Sequence, residues 1–302
     1  MAIITVVGST NTDLVVKTPR LPVPGETIKG SDFQIFSGGK GANQAVAAAR
    51  LGAEVNFITK IGSDYFGQRE LANLKENRIN PNYIIIDDHH PTGVALIEVD
   101  DLGRNSIVVV PGANHQLSIE DLQPFQHVFE NSDVILVQLE IPLATVGYVL
   151  ELGAKSKAVV ILNPAPAELI PPEFYSNVSI ITPNESEAAL LTNSDPNHID
   201  SIAESFLAKG VNKVILTLGD RGAYFQSAME SGMVAAFHVD PVDTTAAGDA
   251  FNAGLAVAIA EGLSFRESIL FANAAAALSV ATMGAQPSLP RREEVEKLLE
   301  AS

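Results

Sequence analysis

The chain of 302 residues is 46% hydrophobic and 18% charged, and it contains no cysteine. This much apolar material can form a folded core, so the composition excludes an intrinsically disordered chain. The lack of cysteine excludes disulfides, a thiolate nucleophile and a cysteine-ligated zinc site. A formal net charge of −17 would repel a polyphosphate backbone, so nucleic acid is not an expected partner.

The sequence also lacks the usual marks of export or membrane insertion. Residues 1–8 contain neither the basic segment nor the long apolar run of a signal peptide, and no stretch reaches eighteen uninterrupted apolar residues. We therefore expect a soluble, cytoplasmic protein without a membrane partner.

Apolar segments alternate with helical patterns along most of the chain. Runs of Val and Ile without polar alternation are typical of strands that are buried on both faces of a parallel sheet. The predicted strands span 3–7, 55–61, 134–139, 159–162, 179–182 and 214–218. The predicted helices span 43–51, 68–77, 143–154, 185–191, 201–209, 246–262, 265–283 and 291–300. This order predicts an α/β fold with a mostly parallel central sheet.

Two stretches, at about 12–37 and 92–111, interrupt this alternation. Their short alternating segments, such as 93–99 and 105–110, favour antiparallel strands, and residues 101–104 fit a hairpin connection. Because both stretches interrupt one continuous series, we expect a single α/β domain over 1–302 from which a small β-sheet projects as a lid.

A glycine-rich segment precedes the first predicted helix. Residues 38–44 read Gly-Gly-Lys-Gly-Ala-Asn-Gln, and such glycines let the backbone approach a ligand closely. The spacing is not that of a phosphate-binding P-loop, since Ala42 stands where a magnesium-binding hydroxyl would be needed. Lys40 and Asn43 could donate hydrogen bonds to ligand hydroxyls; a tight turn with a solvated Lys40 is the alternative.

A polar segment directly follows the first predicted strand. Residues 8–13 read Gly-Ser-Thr-Asn-Thr-Asp, and α/β folds bind ligands at the carboxyl ends of parallel strands. Asn11 and Asp13 could hydrogen-bond vicinal hydroxyls of a sugar. Taken alone, however, the segment favours a polar turn that is held by Asx hydrogen bonds.

The most informative segment, 242–254, places small residues directly before a predicted helix. Ala247 and Gly248 would present unshielded backbone N–H groups at the helix N-terminus, which suits a phosphoryl group in transfer. Asp249 in the first turn is a candidate general base for a substrate hydroxyl. An acidic residue there also complements the helix dipole, but that role does not require a Gly-Asp pair behind two alanines.

Two further segments follow predicted strands. In 182–187, Asn184 and Glu187 share one face of a helix, which suits hydrated Mg²⁺ and equally suits a capping box; both interpretations can hold together. In 217–222, the glycines could admit a nucleotide, or the loop could be a hairpin turn into 223–226.

Taken together and in this order, these segments resemble the ribokinase family of ATP-dependent sugar kinases over nearly the whole chain. The two signature regions of that family correspond to 38–44 and to 243–249, which reads Asp-Thr-Thr-Ala-Ala-Gly-Asp. Further matching segments are 11–13, 24–27, 92–95, 138–140, 163–167 and 284–288. The resemblance implies a three-layer α/β fold and transfer of the ATP γ-phosphate to the O5 hydroxyl of D-ribose.

The resemblance also implies roles for individual residues. Asp249 would be the base, and the amides of Ala247 and Gly248 would form the anion hole. The sugar would be bound by Asn11, Asp13, Gly39, Lys40, Asn43 and Glu140. The nucleotide would be met by Asn184, Thr217, Gly219, Gly222 and Asn273, and Glu187 would act on Mg²⁺ through water.

Two further features of the family carry over as expectations. An activating K⁺ would bind near the anion hole, at positions that match Asp243, Thr245, Ser279, Thr282, Gly284 and Ser288. A homodimer would form through the lid sheets. Two alternatives stay open: another sugar or nucleoside kinase of this fold, for deoxyribose or fructose for example, and a sugar sensor without turnover.

Overall fold

The computed structural model describes residues 2–301, and its strands form two sheets. In chain order the strands are β1 (Ile3–Val7), β2 (Asn11–Thr18), β3 (Asp32–Gly38), β4 (Glu54–Gly62), β5 (Ile84–Asp87), β6 (Gly93–Asp100), β7 (Asn105–Val110), β8 (Val134–Gln138), β9 (Val159–Asn163), β10 (Ile180–Ile181), β11 (Lys213–Thr217), β12 (Ala223–Ser227) and β13 (Ser231–Val234).

The helices lie between these strands, except for the last four, which follow β13. In chain order they are α1 (Lys40–Arg50), α2 (Tyr65–Glu76), α3 (Ile119–Leu122), α4 (Gln126–Glu130), α5 (Leu143–Lys155), α6 (Glu185–Thr192), α7 (Ile199–Ala208), α8 (Ala247–Ala260), α9 (Phe265–Ser279), α10 (Ala285–Ser288) and α11 (Arg292–Glu300). Within residues 2–301, no helix is both long enough and apolar enough to cross a membrane.

The larger sheet has nine strands in the order β13-β12-β11-β10-β9-β8-β1-β4-β5. Neighbouring strands from β11 to β5 pair in parallel, and only the β11–β12 and β12–β13 pairs are antiparallel. Its central strands are buried on both faces, as their unbroken apolar sequences predict. The predicted fold class, a mostly parallel α/β sheet with a small projecting sheet, is confirmed.

Two apolar clusters cover the faces of this sheet. One packs α1, α8, α9 and α11 against it, and the other packs α5, α6 and α7 against the opposite face. The alanine-rich helices α8 and α9 lie very close together. A Cβ on Gly254 would lie 3.1 Å from the Cα of Ala272, which is a tight contact, so glycine favours this close approach.

The smaller sheet, which we call the lid, has the order β3-β2-β6-β7. The hairpin predicted at 101–104 joins β6 and β7, which are antiparallel. The expectation of antiparallel pairing throughout is wrong for β2 and β6, which pair in parallel from Asn11 opposite Gly93. Both strands leave the carboxyl edge of the larger sheet and run outward, so they must point the same way.

Two more sequence expectations need correction. The helix predicted over 265–283 ends at Ser279, where the chain turns and the carbonyl of Val280 accepts hydrogen bonds from the N–H groups of Val242 and Asp243. The polar turn favoured for 8–13 is wrong, because β2 already begins at Asn11 and pairs on both sides within the lid.

Candidate active site

The candidate site is a cavity of about 830 Å³ at the carboxyl edge of the larger sheet. Loops that follow parallel strands meet there, together with the first turns of α1 and α8, as expected for an α/β fold. The sequence-predicted residues that line it are Lys40, Asn184, Glu187, Thr217, Gly219, Gly222, Ala247, Gly248, Asp249 and Asn273. The structure thus brings the predicted nucleotide residues and the predicted catalytic segment to one cavity.

The glycine-rich segment packs against the link between β1 and β2. Gly39 has a φ of 86°, and a Cβ there would lie 2.7 Å from the backbone nitrogen of Asn11. A Cβ on Gly41 would lie 2.6 Å from the backbone of Gly8. Glycine is therefore required at both positions for α1 to begin this close to the first strand.

Glu140, which follows β8, anchors the start of α1. Its Oε2 accepts hydrogen bonds from the backbone N–H of Lys40 at 3.0 Å and from the hydroxyl of Ser9 at 2.5 Å. The helix N-terminus and the strand-end loop are therefore held by one carboxylate. Burial works against the charge of Lys40, but the neighbouring Asp249, Glu140 and Glu187 outweigh it and raise the pKa of that ammonium.

Asp249 is buried in the first turn of α8, where both of its oxygens accept hydrogen bonds. Oδ2 accepts from Asn43 Nδ2 at 2.9 Å, and Oδ1 accepts from Gln44 Nε2 at 3.0 Å. Burial raises the pKa of Asp249 above its usual value, although Lys40 and the two amides oppose this rise. The result is a carboxylate that is more basic than usual and lies at the N-terminus of α8.

Asn11 lies at the start of β2 and is held by a buried asparagine. Asn114 Nδ2 donates to Asn11 Oδ1 at 2.7 Å, and Asn114 Oδ1 accepts from the backbone N–H of Thr10 at 2.8 Å. Because its Oδ1 is engaged, Asn11 has its Nδ2 left to donate to a ligand.

Asp13 projects from the lid toward the same region. A Cβ on Gly38 of the neighbouring strand would lie 2.2 Å from Asp13 Oδ2, so glycine at 38 makes room for this carboxylate. Burial, followed by the charges of Glu140, Glu70 and Asp249, raises the pKa of Asp13 to about 7. A group of this kind changes charge near neutral pH.

The start of α8 has an unusual backbone. Ala246 takes a left-handed conformation with φ 62° and ψ 9° as the residue before the helix. The N–H of Ala247 makes a long hydrogen bond of 3.3 Å to the carbonyl of Thr244. Gly248 faces open space, since a Cβ there would meet nothing within 4 Å. These amides therefore border the cavity without side chains in front of them.

The far end of the cavity is formed by the loops after β10 and β11. Asn184 and Glu187 make the capping box of α6, with Glu187 Oε2 accepting from the N–H of Asn184 at 2.9 Å. Burial raises the pKa of Glu187. Asn184 also forms a β-bridge with Thr217. The loop at 217–222 is a hairpin turn, as one of its two interpretations predicts, and it also lines the cavity. A nucleotide at this loop stays a prediction.

Asn273 of α9 reaches the cavity wall beside this loop. Its Nδ2 donates to the carbonyls of Val234 and Ala235, each at 3.0 Å. The side chain therefore fixes the segment that follows β13 against α9.

The predicted cation positions are only partly brought together. Asp243 Oδ1 accepts from the hydroxyl of Thr245 at 2.6 Å, and Oδ2 accepts from the N–H of Gly284 at 2.8 Å. Although burial opposes it, these bonds hold the pKa of Asp243 below its usual value. Ser279 and Ser288 donate to carbonyls of their own turns, and within residues 2–301 no hydrogen bond joins them or Thr282 to Asp243.

Sequence reasoning missed the buried amides behind this site. Gln44, Gln138 and Asn163 are linked side chain to side chain behind Asp249, and Asn114 holds Asn11. Gln44 lies inside a signature segment, and Gln138 and Asn163 lie in other matching segments, but no spacing rule indicates that they meet.

Comparisons with known proteins agree with this geometry. Residues 1–292 match the family described as pfkB family carbohydrate kinase. The ribokinase of Haemophilus influenzae is 43% identical over 300 residues, covering 98% of each chain. The Arabidopsis thaliana ribokinase solved with ribose and ATP has 34% identity and a TM-score of 0.91, covering 100% of this chain and 99% of its own. A deoxyribokinase of Salmonella typhi is 37% identical, covering 98% of each chain.

Proposed function

This chain belongs to the pfkB family of carbohydrate kinases, and we propose that it transfers the γ-phosphate of ATP to O5 of D-ribose, giving D-ribose 5-phosphate and ADP. The observation that carries the residue assignment is Asp249, a buried carboxylate of raised pKa at the N-terminus of α8, in a cavity large enough for a nucleotide. No part of this reaction needs a positively charged surface, which agrees with the net charge of −17.

The sugar would bind between the lid and the start of α1, through Asn11, Asp13, Gly39, Lys40, Asn43 and Glu140. Asn43 supports this placement independently of any resemblance. Its side chain is only 5% exposed, and its Oδ1 has no hydrogen-bond partner, which is a costly state for a buried acceptor. A sugar hydroxyl would supply the missing donor.

The chemical step follows from the arrangement around Asp249. The O5 oxygen attacks the γ-phosphorus, the bond from that phosphorus to the β,γ-bridging oxygen breaks, and the O5 proton passes to Asp249. The amides of Ala247 and Gly248 then face the charge that develops on the transferring phosphoryl group. ADP leaves as the second product.

The nucleotide would lie against Asn184, Thr217, Gly219, Gly222 and Asn273. Glu187 fits a role in holding Mg²⁺ through water, since it is an oxygen donor that lines the cavity. When bound, Mg²⁺ would neutralise part of the phosphate charge. Within residues 2–301, no group of three or more His, Asp or Glu side chains is arranged so that it could hold a metal ion.

An activating K⁺ would bind beside the anion hole, with oxygen donors at Asp243, Thr245, Ser279, Thr282, Gly284 and Ser288. Three of these residues already lie together, because the Asp243 carboxylate accepts hydrogen bonds from the hydroxyl of Thr245 and the N–H of Gly284. This part of the loop therefore fits a cation. When bound, the cation would supply positive charge that fixes these oxygens. The segment carrying Ala247 and Gly248 follows directly and would be positioned with them.

The lid supports a homodimer. Along one face of it lie Phe33, Leu96, Val108 and Val110, which are 56%, 47%, 59% and 48% exposed. β7 is an edge strand, which pairs with β6 on one side and with no other strand of residues 2–301. Exposed apolar side chains beside an open edge are a poor surface for a monomer. A second copy of the lid would cover them, in a protein that we place in the cytoplasm.

A coupled assay of ADP release over D-ribose, 2-deoxy-D-ribose, fructose and nucleosides tests the proposal. We expect kcat/KM to be highest for D-ribose. A preference for 2-deoxy-D-ribose, favoured by the deoxyribokinase relative, would replace ribose as the substrate. Sugar binding without ADP release would indicate a sensor.

The base is tested separately with Asp249→Asn. This variant should bind ribose and ATP within a few-fold of the wild type while turnover falls by roughly 10²–10⁴. Turnover within tenfold of the wild type would show that Asp249 is not the base.

A further inference from the structure

A row of buried amides runs behind Asp249, and none of its members is among the residues assigned above to the sugar or the nucleotide. Gln44 is fully buried in α1, and its Nε2 donates both to Asp249 Oδ1 at 3.0 Å and to Asn163 Oδ1 at 3.1 Å. Gln138 of β8 donates from Nε2 to Gln44 Oε1 at 2.6 Å. The base on α8 is thus linked to β8 and β9 through one side chain of α1.

The orientation of the amides in this row is set by the two acceptors at its ends, the carbonyl of Thr182 and the carboxylate of Asp249. Asn163 Nδ2 donates to the carbonyl of Thr182 at 3.3 Å, so its Oδ1 faces Gln44. The carboxylate of Asp249 can only accept when ionised, so Gln44 must present Nε2 to both neighbours. Gln44 Oε1 then needs a donor, and Gln138 supplies it. A rotation of any one amide would place two acceptors in contact.

The backbone makes room for this row. A Cβ on Gly8 would lie 2.2 Å from Gln138 Oε1 and 2.8 Å from the Cα of Gly41. Glycine at position 8 therefore lets the Gln138 side chain reach Gln44 beneath the glycine-rich segment. This accounts for the glycine at position 8, whose backbone does not take a positive φ and so does not itself require glycine.

We infer that Gln44, oriented by Gln138 and Asn163, is a positioning residue for Asp249. It keeps Oδ1 occupied throughout the reaction, which leaves Oδ2 as the oxygen that receives the proton of the sugar hydroxyl. Asn43 holds Oδ2 in the sugar-free protein and exchanges it for the hydroxyl when the sugar binds. The inference rests on the proposed function, in which Asp249 is the base.

The test uses Gln44→Met and Gln138→Met, which keep the length of the side chain and remove the amide. Gln44→Met should lower kcat by about 10- to 100-fold, because the base loses its fixed orientation, while KM for the sugar changes by less than about threefold. Gln138→Met should act in the same direction with a smaller effect. The double variant should be no worse than Gln44→Met, because the two residues act through one contact.

The pH profile separates positioning from a merely structural role. The charged groups around Asp249 are Lys40, Asp13, Glu140 and Glu187, and none of them is altered. Loss of a donor to the carboxylate favours its protonated form, so the acid limb of kcat should move to higher pH in Gln44→Met. Gln226→Met changes a glutamine on β12, away from the site, and is the matched control. It should leave both kcat and the acid limb of its pH profile unchanged.

The possible outcomes are distinct. An unchanged kcat and acid limb in folded Gln44→Met would overturn the inference, as would a loss confined to KM. If Gln44→Met does not fold, Gln138→Met decides by the same two readouts. Full activity of Asp249→Asn would instead overturn the role of Asp249 as the base, and the absence of sugar-dependent ADP release in the wild type would overturn the proposed function. An inactive Asp249→Asn beside an unaffected Gln44→Met would overturn only the role of Gln44.

Discussion

Replacing Asp13 with Asn should make the sugar-free protein more stable and a poorer sugar binder. The carboxyl group is enclosed beside Glu70, Glu140 and Asp249, and its pKa is raised from 3.8 to about 7. A raised pKa means that the folded protein binds the proton more tightly than the unfolded chain does. The stabilisation due to this proton is therefore complete below pH 3.8 and is lost as the pH rises through about 7.

The size of the effect follows from the two pKa values. At about 1.4 kcal/mol for each pH unit between 3.8 and 7, the ionised carboxylate costs on the order of 4 kcal/mol at pH 8. Asn has nearly the same shape and no charge, so Asp13→Asn should recover a large part of this. The stability difference between the variant and the wild type should grow by about 2–3 kcal/mol between pH 5 and pH 8.

Urea unfolding followed by circular dichroism at several pH values measures this difference. Calorimetry with ribose provides the functional half: the variant should lose about 1.5–3 kcal/mol of ribose binding, the scale of hydrogen bonds to a charged group, with nucleotide affinity unchanged. Parallel pH dependence of stability in the two proteins would refute the raised pKa. Unchanged ribose affinity would refute the role of Asp13 in the sugar site.

Two further predictions concern the loop before α8. Ala246→Gly should stabilise the protein by up to about 1 kcal/mol in urea unfolding. Glycine adopts the left-handed φ of 62° without strain, and this gain is partly offset by the greater entropy of glycine in the unfolded chain. A loss of stability would contradict the left-handed conformation of Ala246. Replacing K⁺ with a large organic cation at constant ionic strength should lower kcat more than it changes KM for ribose, since the proposed cation would act through Asp243 on the amides of Ala247 and Gly248. Equal kcat values in the two salts would remove K⁺ from the mechanism.

Much of the fold could be predicted because its signals are local. The strand Ile3–Val7 and the strand Asn105–Val110 have the predicted bounds, since an apolar run or an alternating run fixes a strand without reference to the rest of the chain. The direction of β2 relative to β6 could not be read in this way. It depends on where both strands leave the larger sheet, which is a property of the whole topology.

The candidate site divides along the same line. The position of Asp249 in the first turn of a helix could be predicted because small residues lead directly into the helical pattern. The capping box of Asn184 and Glu187 could be predicted because it is a four-residue pattern. Gln44 and Gln138 are separated by 94 positions, and each alone is an ordinary buried amide. Their proposed role depends on the hydrogen bond between them, which is seen only in the folded chain.

The buried carboxylates of the site also affect how tightly it would bind the phosphorylated product. Asp249 and Glu187 both have raised pKa values that arise first from burial, so further negative charge beside them is unfavourable. Ribose is neutral and adds none, whereas ribose 5-phosphate carries its phosphate on the oxygen that, in the proposed reaction, would face Asp249.

We therefore expect ribose 5-phosphate alone to bind the enzyme more weakly than ribose does. Asp249→Asn removes one of the opposing charges, so this variant should bind ribose 5-phosphate several-fold more tightly than the wild type while ribose affinity stays within a few-fold. Calorimetry without nucleotide measures both affinities. Equal changes for the two ligands would mean that the carboxylate does not oppose the phosphate and that product release depends on other contacts.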